Sequence, residues 1–403
     1  MDRRRFLASA AALPFVDPIA RLARLARKDH VVVVGAGAFG GWSALSLLRA
    51  GCRVTLVDAW GAGNSRSSSG DETRLIRAVY NGQPVYVRMV ARAATLWKEN
   101  ERRWGRRVFF PIGCLWMCPG DDGFVRTSIA PIRASGLTIE EWTPTEAQRR
   151  FPHMGFAGVR SVFFEPGMGY LLARQSCELV RESFVSEGGT YVLAAARAGR
   201  TSGGRLDSVA LASGQQLEAD RFVIACGPWM SQFFPDAIGR RIVATRQEVF
   251  YFGAPAGASD YEPGNTPAWV HLGDHITYGI PGNERRGMKV ADDTAGPEVD
   301  PTSMDRIPDP ARLGDARAVL RDRFPGLAGA PLLEARVCQY EASSDGHYLA
   351  DRHPELDNVW LVGGGSGHGF KMGPALGEHV ADLVQGARRA EPLFSYARLR
   401  PRP

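Results

Sequence analysis

Two features in the C-terminal third of the chain have the residue types that redox and anion chemistry need. A lone cysteine, Cys338, lies in EARVCQYEASSDGHYLADRHP, and a glycine-rich stretch with a lysine, VWLVGGGSGHGFKMGP, follows it. A cysteine thiolate is a nucleophile, and Lys371 next to a helix start favours the binding of an anion. From the residues alone, Cys338 has two interpretations: a reactive thiol or a small buried side chain.

A dinucleotide-binding motif lies near the start of the chain. Val31–Val34 predict a strand buried on both faces, and Gly35-x-Gly37-x-x-Gly40 follows, then a helical apolar pattern and a second strand that ends on Asp58. Gly35 makes the tight turn, Gly37 lets the backbone approach a pyrophosphate, and Gly40 lets the helix pack on the strand. Asp58 is placed to accept hydrogen bonds from ribose hydroxyls. The motif predicts a dinucleotide without choosing between FAD and NAD.

The remaining elements predict an α/β fold (α+β in its second part) with more than one domain, because 403 residues exceed a single core of typical size. RFVIACGPWMS predicts another buried strand of a doubly wound sheet, whereas the short alternating strands after residue 241 predict an antiparallel sheet. We expect a discontinuous Rossmann-type domain at 29–107, 155–240 and 325–395, and a β-rich substrate domain at 108–154 and 241–324.

A polar segment, GNSRSSSGDETRLIRAVY, follows the second strand. It begins as a loop, and its pattern predicts a helix from near Asp71, capped by Asp71 or Thr73. Arg74 and Arg77, three residues apart, would then lie on one helical face. A pair of solvated arginines is the alternative.

The charge distribution argues against a nucleic-acid partner. The formal net charge is +6, but residues 1–28 carry seven basic and two acidic residues, so the rest of the chain is near neutral. No stretch approaches the roughly 20 apolar residues of a membrane span. His271 and His275 lie four residues apart in a strand-type region, which is not a metal-binding spacing, so we expect no metal site.

The N-terminal leader, MDRRRFLASAAALPFV, has a basic start and a short apolar run, which is the layout of an export signal. Its RRRFL order is similar to a twin-arginine signal, which predicts a periplasmic or other extracytoplasmic location. The alternative is a basic disordered tail on a cytoplasmic protein.

Several segments together resemble the family of monomeric sarcosine oxidase and N-methyltryptophan oxidase, flavoproteins of the D-amino-acid-oxidase fold. The resemblance runs from about Val31 to Leu383. It rests on GAGAFG, GDETRLIRAVY, FFEPGMGYL, GMKV, RVCQYEASSDGHYLAD and GGGSGHGFKMGPALGE. It implies FAD as the cofactor, and it implies that Cys338 bonds covalently to the flavin.

The same resemblance implies roles for the charged residues. Lys289, in GMKV, matches the lysine near the flavin at which dioxygen reacts, where a fixed ammonium stabilises superoxide. Arg77 and Lys371 match the pair that holds the substrate carboxylate. Arg74 matches an arginine that lies close to the flavin ring, and Tyr278 matches a tyrosine that lines the substrate pocket.

The glycine-rich loop also receives a role from the resemblance. His368, between Gly367 and Gly369, is expected to shape the loop beneath the pyrimidine end of the flavin. Two departures from the family pattern lie close to the site. Asp293 replaces the histidine that sarcosine-oxidising members carry four residues after the lysine, and Glu72 is an extra residue in GDETR. Both put sarcosine itself in doubt and leave the reaction type intact.

The expected reaction is oxidation of the C–N bond of an N-alkyl or cyclic amino acid, followed by hydrolysis of the imine and reoxidation by dioxygen to hydrogen peroxide. The partners are thus a small amino acid and dioxygen, and we expect a monomer. Two alternatives remain: a dehydrogenase on the same fold that passes electrons to a quinone or a protein, and a non-catalytic flavoprotein that serves as a binding or assembly module.

Overall fold

A computed structural model describes residues 29–401. The predicted leader occupies residues 1–28 and so lies outside the described residues. Across residues 29–401, none of the helices combines the length and the apolar character that crossing a membrane requires.

A six-stranded sheet carries the dinucleotide motif. The valines of His30–Val34 alternate between its faces: Val31 and Val33 join one hydrophobic cluster, Val32 and Val34 another. Burial on both faces explains the unbroken β-branched run. Five neighbouring strands are parallel and one edge strand is antiparallel. In spatial order the strands are Leu349–Arg352, Val359–Gly363, Arg221–Ile224, His30–Val34, Arg53–Asp58 and Thr190–Leu193.

Helices cover this sheet at close range. The helix Ala38–Arg49 packs against Gly373–Gln385, and a Cβ at Gly377 would lie 2.6 Å from the carbonyl oxygen of Trp42. Small residues at this crossing let the two helix backbones approach. The α-helices of the described residues are Ala38–Arg49, Pro84–Trp104, Gly123–Ala134, Pro144–Arg150, Ala173–Ser186, Met230–Phe233, Pro310–Arg323 and Gly373–Gln385.

An eight-stranded sheet forms the second layer of the protein. All of its neighbouring strands are antiparallel except Ala268–Leu272 and Cys114–Cys118, which run parallel. In spatial order the strands are Leu332–Ser343, Ile242–Phe252, Met288–Asp292, Ile276–Ile280, Ala268–Leu272, Cys114–Cys118, Ser161–Glu165 and Glu140–Trp142. A parallel sheet beside a mainly antiparallel one confirms the predicted fold class.

Smaller sheets complete the described chain. One three-stranded sheet consists of Thr73–Ile76, Gly169–Leu172 and Phe109–Phe110. A second three-stranded sheet consists of Ala196–Ala198, Ser208–Leu211 and Gln216–Glu218. A two-stranded ribbon consists of Thr201–Ser202 and Arg205–Leu206.

The predicted helix near Asp71 is wrong. Thr73–Ile76 is a strand that pairs with the distant segment Gly169–Leu172, with Arg74 opposite Leu171. Backbone hydrogen bonds to this partner strand override the local helical pattern, which is the usual way in which tertiary contacts defeat propensity. Arg74 and Arg77 therefore share no helix, and Asp71 caps none.

The domain boundaries stay a prediction, but sheet membership bears on two segments. Ser161–Glu165 and Leu332–Ser343 fall within the ranges assigned to the dinucleotide domain, and both are strands of the eight-stranded sheet. The long strand Leu332–Ser343 pairs with Ile242–Phe252, whose other neighbour is the strand that carries Lys289.

The glycine turn generates a test of the fold. A Cβ at Gly40 would lie 1.9 Å from the carbonyl oxygen of Gly35, so Gly40→Ala must displace the turn from the helix. We expect a loss of roughly 1–3 kcal/mol in unfolding free energy, the cost of an overpacked interior, together with loss of bound FAD. Gly120→Ala is the control, because nothing lies within 4 Å of its added Cβ. Urea unfolding and the FAD absorbance of the purified protein measure both effects, and equal behaviour of the two variants would contradict the assignment.

Candidate active site

A cavity of about 380 Å³ runs along the carboxyl ends of the six-stranded sheet. This is where ligands bind in doubly wound sheets. Its walls come from the glycine turn, the loop after Asp58, the turn at Gly227 and the glycine-rich loop near the C-terminus. The glycine turn and Asp58, predicted from the sequence to meet here, are together in this wall.

The first turn of the helix Ala38–Arg49 faces this cavity, and its N-cap residue Gly37 has no side chain to cap it. The Ala38 amide donates to Ser69 Oγ at 3.1 Å. A helix N-terminus suits a pyrophosphate. Asp58 accepts hydrogen bonds from the backbone amides of Ala36, Trp60 and Gly61 at 2.7, 2.9 and 2.8 Å. These bonds fix the carboxylate at the end of its strand, where it lines the cavity.

The glycine-rich loop closes the opposite end of the cavity. A Cβ at Gly369 would lie 2.6 Å from the Phe39 ring, and one at Gly367 would lie 2.5 Å from the Tyr340 ring. His368 Nε2 donates to the Gly346 carbonyl at 3.0 Å, and His368 Nδ1 is hydrogen-bonded to Tyr348 Oη at 2.8 Å. Burial, and then the nearby Lys371, lowers the pKa of His368 to about 3. His368 is therefore neutral, and its ring bonds to the Gly346 carbonyl and to Tyr348. Its role beneath the flavin stays a prediction.

A buried carboxyl group in the cavity wall has an unused oxygen. Glu341 is 8% exposed, and its Oε2 has no hydrogen-bond partner among the described residues. Burial raises the pKa of Glu341 to about 7. An unpaired buried polar atom in a native protein calls for an explanation. Together with the uncapped helix and the glycine walls, it fits a cavity built for a large polar cofactor such as FAD.

A second cavity, of about 50 Å³, adjoins the first. The two cavities have three lining residues in common: Arg74, Gly367 and Phe370. The other residues that line the second cavity are Leu75, Arg77, Trp116, Phe124, Val270, Ile276, Tyr278, Asp293, His368 and Lys371. A small ligand here would lie next to whatever fills the end of the larger cavity.

Arg77 and Lys371 bring positive charge into the second cavity, as the resemblance implied. Both lie over the ring of Tyr80, with Arg77 Cζ 4.7 Å and Lys371 Nζ 5.3 Å from its centroid. Lys371 donates to Tyr80 Oη at 2.9 Å and to the His368 carbonyl at 2.8 Å. Within residues 29–401, neither cation forms an ion pair with a carboxylate. Buried Lys371 and partly buried Arg77, neither in an ion pair within these residues, make an anion site.

Two carboxyl groups lie near these cations without pairing to them. Asp293 lines the cavity and accepts a hydrogen bond from Tyr340 Oη at 2.9 Å; burial raises its pKa to about 6. Glu165 lies behind the wall and accepts from Trp116 Nε1 at 2.8 Å and from the Ala78 amide at 2.7 Å. Burial raises the pKa of Glu165 to about 7. Both groups therefore change charge close to neutral pH.

Lys289 is buried beside this site without lining either cavity. Its ammonium donates to the Asp71 carboxylate and to the Thr73 carbonyl, the latter at 2.9 Å. Arg74 binds the same carboxylate at 2.6 Å and lines both cavities. Tyr278, predicted to line the substrate pocket, does line the second cavity and has its ring centroid 5.9 Å from Lys289 Nζ.

Cys338 lies next to Arg74 and lines neither cavity. It is buried, and Arg74 Nη2 donates to its Sγ at 3.8 Å. All six cysteines of the chain are free thiols.

Sequence reasoning missed the buried acids. Asp71 was expected to cap a helix, and Glu165 and Glu341 received no role, although each stands inside an apolar or aromatic run, in FFEPG and QYEAS. A carboxylate flanked by residues of buried strands was the available signal, because such a group is buried only with partners or a function. Asp293 was noticed only as a departure from the family pattern.

Comparison with known proteins places the chain among flavin enzymes. The family model described as FAD dependent oxidoreductase (DAO) matches residues 30–383. Monomeric sarcosine oxidase of Bacillus sp. (strain B-0618) is 28% identical over 359 residues, which cover 88% of this chain and 91% of that protein. N-methyl-L-tryptophan oxidase of Yersinia pestis (strain Pestoides F) is 26% identical over 381 residues, 92% of this chain and 99% of that protein.

Solved structures share the fold. L-proline dehydrogenase from P. horikoshii superposes with a TM-score of 0.80 at 22% identity, covering 92% of this chain and 98% of that chain. Fructosamine oxidase (Amadoriase II) from Aspergillus fumigatus has a TM-score of 0.76 at 21% identity, covering 93% of this chain and 92% of that chain.

The unpaired cations generate a pH test. Burial, and then the charge of Arg77, holds the pKa of Lys371 well below its usual value. A bound carboxylate favours the charged amine, so binding takes up a proton once the pH exceeds the ligand-free pKa. We expect the affinity for a simple carboxylate such as acetate to fall as pH rises, measured by absorbance titration of the holoenzyme.

Ionisation of Asp293 and Glu165 near neutral pH adds to the same trend. Lys371→Met separates the contribution of Lys371 to the pH dependence of acetate affinity from that of these acids, because the variant keeps only the acids. A profile equally steep in both proteins would show that Lys371 does not bind the anion.

Proposed function

The chain belongs to the family of FAD dependent oxidoreductases, and on this premise we propose that it oxidises the C–N bond of an N-alkyl or cyclic amino acid. One observation carries the proposal: Arg77 and Lys371, which form no ion pair with a carboxylate of residues 29–401, line a small cavity that shares lining residues with the cofactor cavity. A small carboxylate ligand fits this charge, and its reactive carbon then lies beside the cofactor.

Arg77 and Lys371 bind the carboxylate in complementary ways. A guanidinium offers two parallel donors to the two carboxylate oxygens, while an ammonium offers a compact charge. Both are restrained: Lys371 by Tyr80 and the His368 carbonyl, Arg77 by the Val79 carbonyl and the Tyr80 ring. Preorganised cations lose little entropy on binding, and orientation contributes to the rate.

Asp293 gives the cavity an acceptor for the substrate's amine. It is a carboxyl group in the wall of a cavity that also holds Arg77 and Lys371, so the cavity presents both signs of charge, as a zwitterionic amino acid requires. With a pKa raised to about 6 by burial, it is mainly ionised at neutral pH and can accept a proton from the ammonium. The amine needs this proton loss, because only a neutral nitrogen has the lone pair that forms the imine.

When bound, FAD supplies the two-electron acceptor for this chemistry. The protein orients the substrate so that its C–H bond faces the cofactor cavity, next to Arg74, Gly367 and Phe370, which line both cavities. The C–H bond breaks with its electron pair, which FAD would accept, the nitrogen forms the C=N bond, and water then hydrolyses the imine. Phe124 and Val270 make part of the cavity lining apolar.

Reoxidation by dioxygen is part of the proposal. Lys289 provides a buried ammonium next to Arg74, and a fixed positive charge lowers the cost of forming superoxide. Dioxygen takes two electrons and two protons and leaves as hydrogen peroxide. The similarity to monomeric sarcosine oxidase and N-methyl-L-tryptophan oxidase supports amino-acid substrates with a substituted nitrogen.

An anaerobic screen tests the function. The holoenzyme is mixed without air with N-methyl amino acids and with cyclic amino acids, and loss of the flavin absorbance reports transfer of electrons. We expect bleaching by at least one of them, and an apparent substrate affinity weakened roughly tenfold to a hundredfold in Arg77→Gln, the size of one lost charge-assisted hydrogen bond. Bleaching followed in air by one peroxide per amine supports an oxidase; bleaching without peroxide means that another acceptor takes the electrons.

Two controls make this screen specific. A cyclic amine without a carboxylate, such as pyrrolidine, must be indifferent to Arg77→Gln, whereas proline must not. Arg106→Gln removes an exposed arginine and must leave every affinity unchanged. Failure of every amino acid to bleach the flavin, or equal effects of Arg77→Gln on proline and pyrrolidine, would sink the proposed function.

The covalent link is a separate prediction. We propose that Cys338 holds FAD through a thioether, so acid precipitation must leave the yellow colour in the protein pellet. In Cys338→Ser the colour must move to the supernatant. Cys226→Ser is the control, because Cys226 lines the cofactor cavity, and this variant must keep a yellow pellet. A colourless wild-type pellet would refute the link.

A further inference from the structure

Asp71 lies at the centre of a buried cluster of charged groups. Its Oδ2 accepts from Lys289 and, at 2.6 Å, from Arg74, and its Oδ1 accepts from Tyr251 Oη at 2.6 Å. Asp71 is 3% exposed and Lys289 is 1% exposed, so water does not screen the pair. Burial alone would raise the pKa of Asp71, but the charges of Lys289 and Arg74 outweigh burial and hold it below its usual value.

Titratable and charged side chains surround Lys289 and its partner Asp71 from several elements. Asp71 and Arg74 approach from the segment that enters the strand Thr73–Ile76, and the remaining ones come from neighbouring strands of the eight-stranded sheet. These remaining titratable or charged groups are Tyr251, Tyr278, Arg336 and Cys338. Asp71 is the one carboxylate within ion-pair distance of Lys289 in the described part of the chain.

Neighbouring acids take up the outer arginines. Glu72, the extra residue of this segment, lies within 3.1–3.6 Å of Arg336, Arg286 and Arg174. Glu334 pairs with Arg336 and Arg286 as well. Arg336 also lies 3.8 Å from Asp71 Oδ1, but it is closer to Glu72 and Glu334. The shortest contacts of the Asp71 carboxylate are therefore those with Lys289, Arg74 and Tyr251.

Without that carboxylate, Lys289 would be a buried ammonium beside a buried guanidinium. Burial lowers the pKa of Lys289, the charge of Asp71 raises it, and the charge of Arg74 lowers it further. Removing the only raising charge at ion-pair distance leaves both lowering effects in place. The amine would then lose its proton at a lower pH.

We propose that Asp71 is a positioning residue that keeps the amine of Lys289 protonated and fixed, and so sets the pH range over which the reduced enzyme reacts with dioxygen. The inference rests on the proposed role of Lys289 in that step. Dioxygen receives two electrons from the reduced cofactor and two protons, and the charge of Lys289 stabilises the superoxide formed after the first electron. A neutral amine cannot do this.

The stability of the holoenzyme tests the pairing without any turnover. A lysine with a lowered folded pKa makes stability rise with pH between that pKa and its ordinary value, because the unfolded chain binds the extra proton. In Asp71→Asn this rise begins at lower pH than in the wild type. The unfolding equilibrium constant of Asp71→Asn exceeds that of the wild type, and the ratio of the two must therefore shrink with rising pH, by up to about tenfold per pH unit.

Lys289→Met completes a double-mutant cycle in urea. The double variant must be more stable than Asp71→Asn at neutral pH and must lose its pH dependence. The pairing would be refuted if the stability difference between Asp71→Asn and the wild type did not change with pH. It would also be refuted if the unfolding free-energy losses of the two single variants simply added up in the double variant. Should Asp71→Asn fail to fold, the double variant must still fold; failure of both would equally refute action through Lys289.

The reaction with dioxygen provides the functional arm. Holoenzyme reduced by light or dithionite, without substrate, is mixed with air-saturated buffer, and return of the flavin absorbance is followed across neutral and alkaline pH. We expect a plateau in the wild type and, in Asp71→Asn, a rate that falls with rising pH to a loss on the order of a hundredfold, as for a missing electrostatic stabiliser. Asp71→Glu, which retains the charge, must restore much of the rate at high pH.

Glu72→Gln is the matched control, because it removes an equally buried neighbouring carboxylate that pairs only with arginines. Its reoxidation profile must follow the wild type. A flat profile in Asp71→Asn would overturn the inference. Failure of the proposed function looks different: the wild type itself would not reoxidise in air, while the stability cycle would still report whether Asp71 holds the charge on Lys289.

Discussion

Positive charge held by no ion pair within residues 29–401, in the wall of the small second cavity, is the condition on which this active site depends. Removing an ion from water costs several kcal/mol even after the protein relaxes, and Arg77 and Lys371 both sit in a protein wall without a carboxylate partner among the described residues. The fold offsets part of that cost with dipoles: carbonyl oxygens, the Tyr80 hydroxyl and the face of its ring. Dipoles hold a cation in place without neutralising it, which leaves its charge for a ligand.

Lys289, in contrast to Arg77 and Lys371, is a buried cation with a carboxylate partner. There the ammonium is fully paired with Asp71, and burial is almost complete. The difference follows from what each cation must bind. A substrate carboxylate is a lasting counter-ion that replaces a protein carboxylate, so Lys371 is left unpaired. Superoxide exists only briefly, and a lysine that waits for it needs a permanent partner to remain charged in a dry site.

The sequence predicts the parts of this structure that local chemistry determines. The strand His30–Val34, the turn from Gly35 to Gly40 and the strand ending on Asp58 follow from β-branched runs and glycine spacing over about 30 neighbouring residues, and all three form as predicted. The segment Thr73–Ile76 does not, because its conformation is set by a partner strand nearly a hundred residues away. The burial of Asp71 was missed for the same reason: two of its partners, Tyr251 and Lys289, lie on strands more than a hundred residues downstream. The local sequence shows only Arg74 and suggests a helix cap.

Arg74 lies between the substrate cavity and the buried pair of Asp71 and Lys289, but it is not free to bind a substrate carboxylate. It lines both cavities, yet its guanidinium is already bound to Asp71, to the carbonyls of Thr73 and Ser68, and to the sulfur of Cys338. A side chain held at so many points cannot swing to follow a substrate. It contributes a fixed charge to the wall, and recognition of the carboxylate falls to Arg77 and Lys371. The extra residue Glu72 fits this division, since by pairing with the outer arginines it leaves Asp71 free to hold Arg74 and Lys289 together.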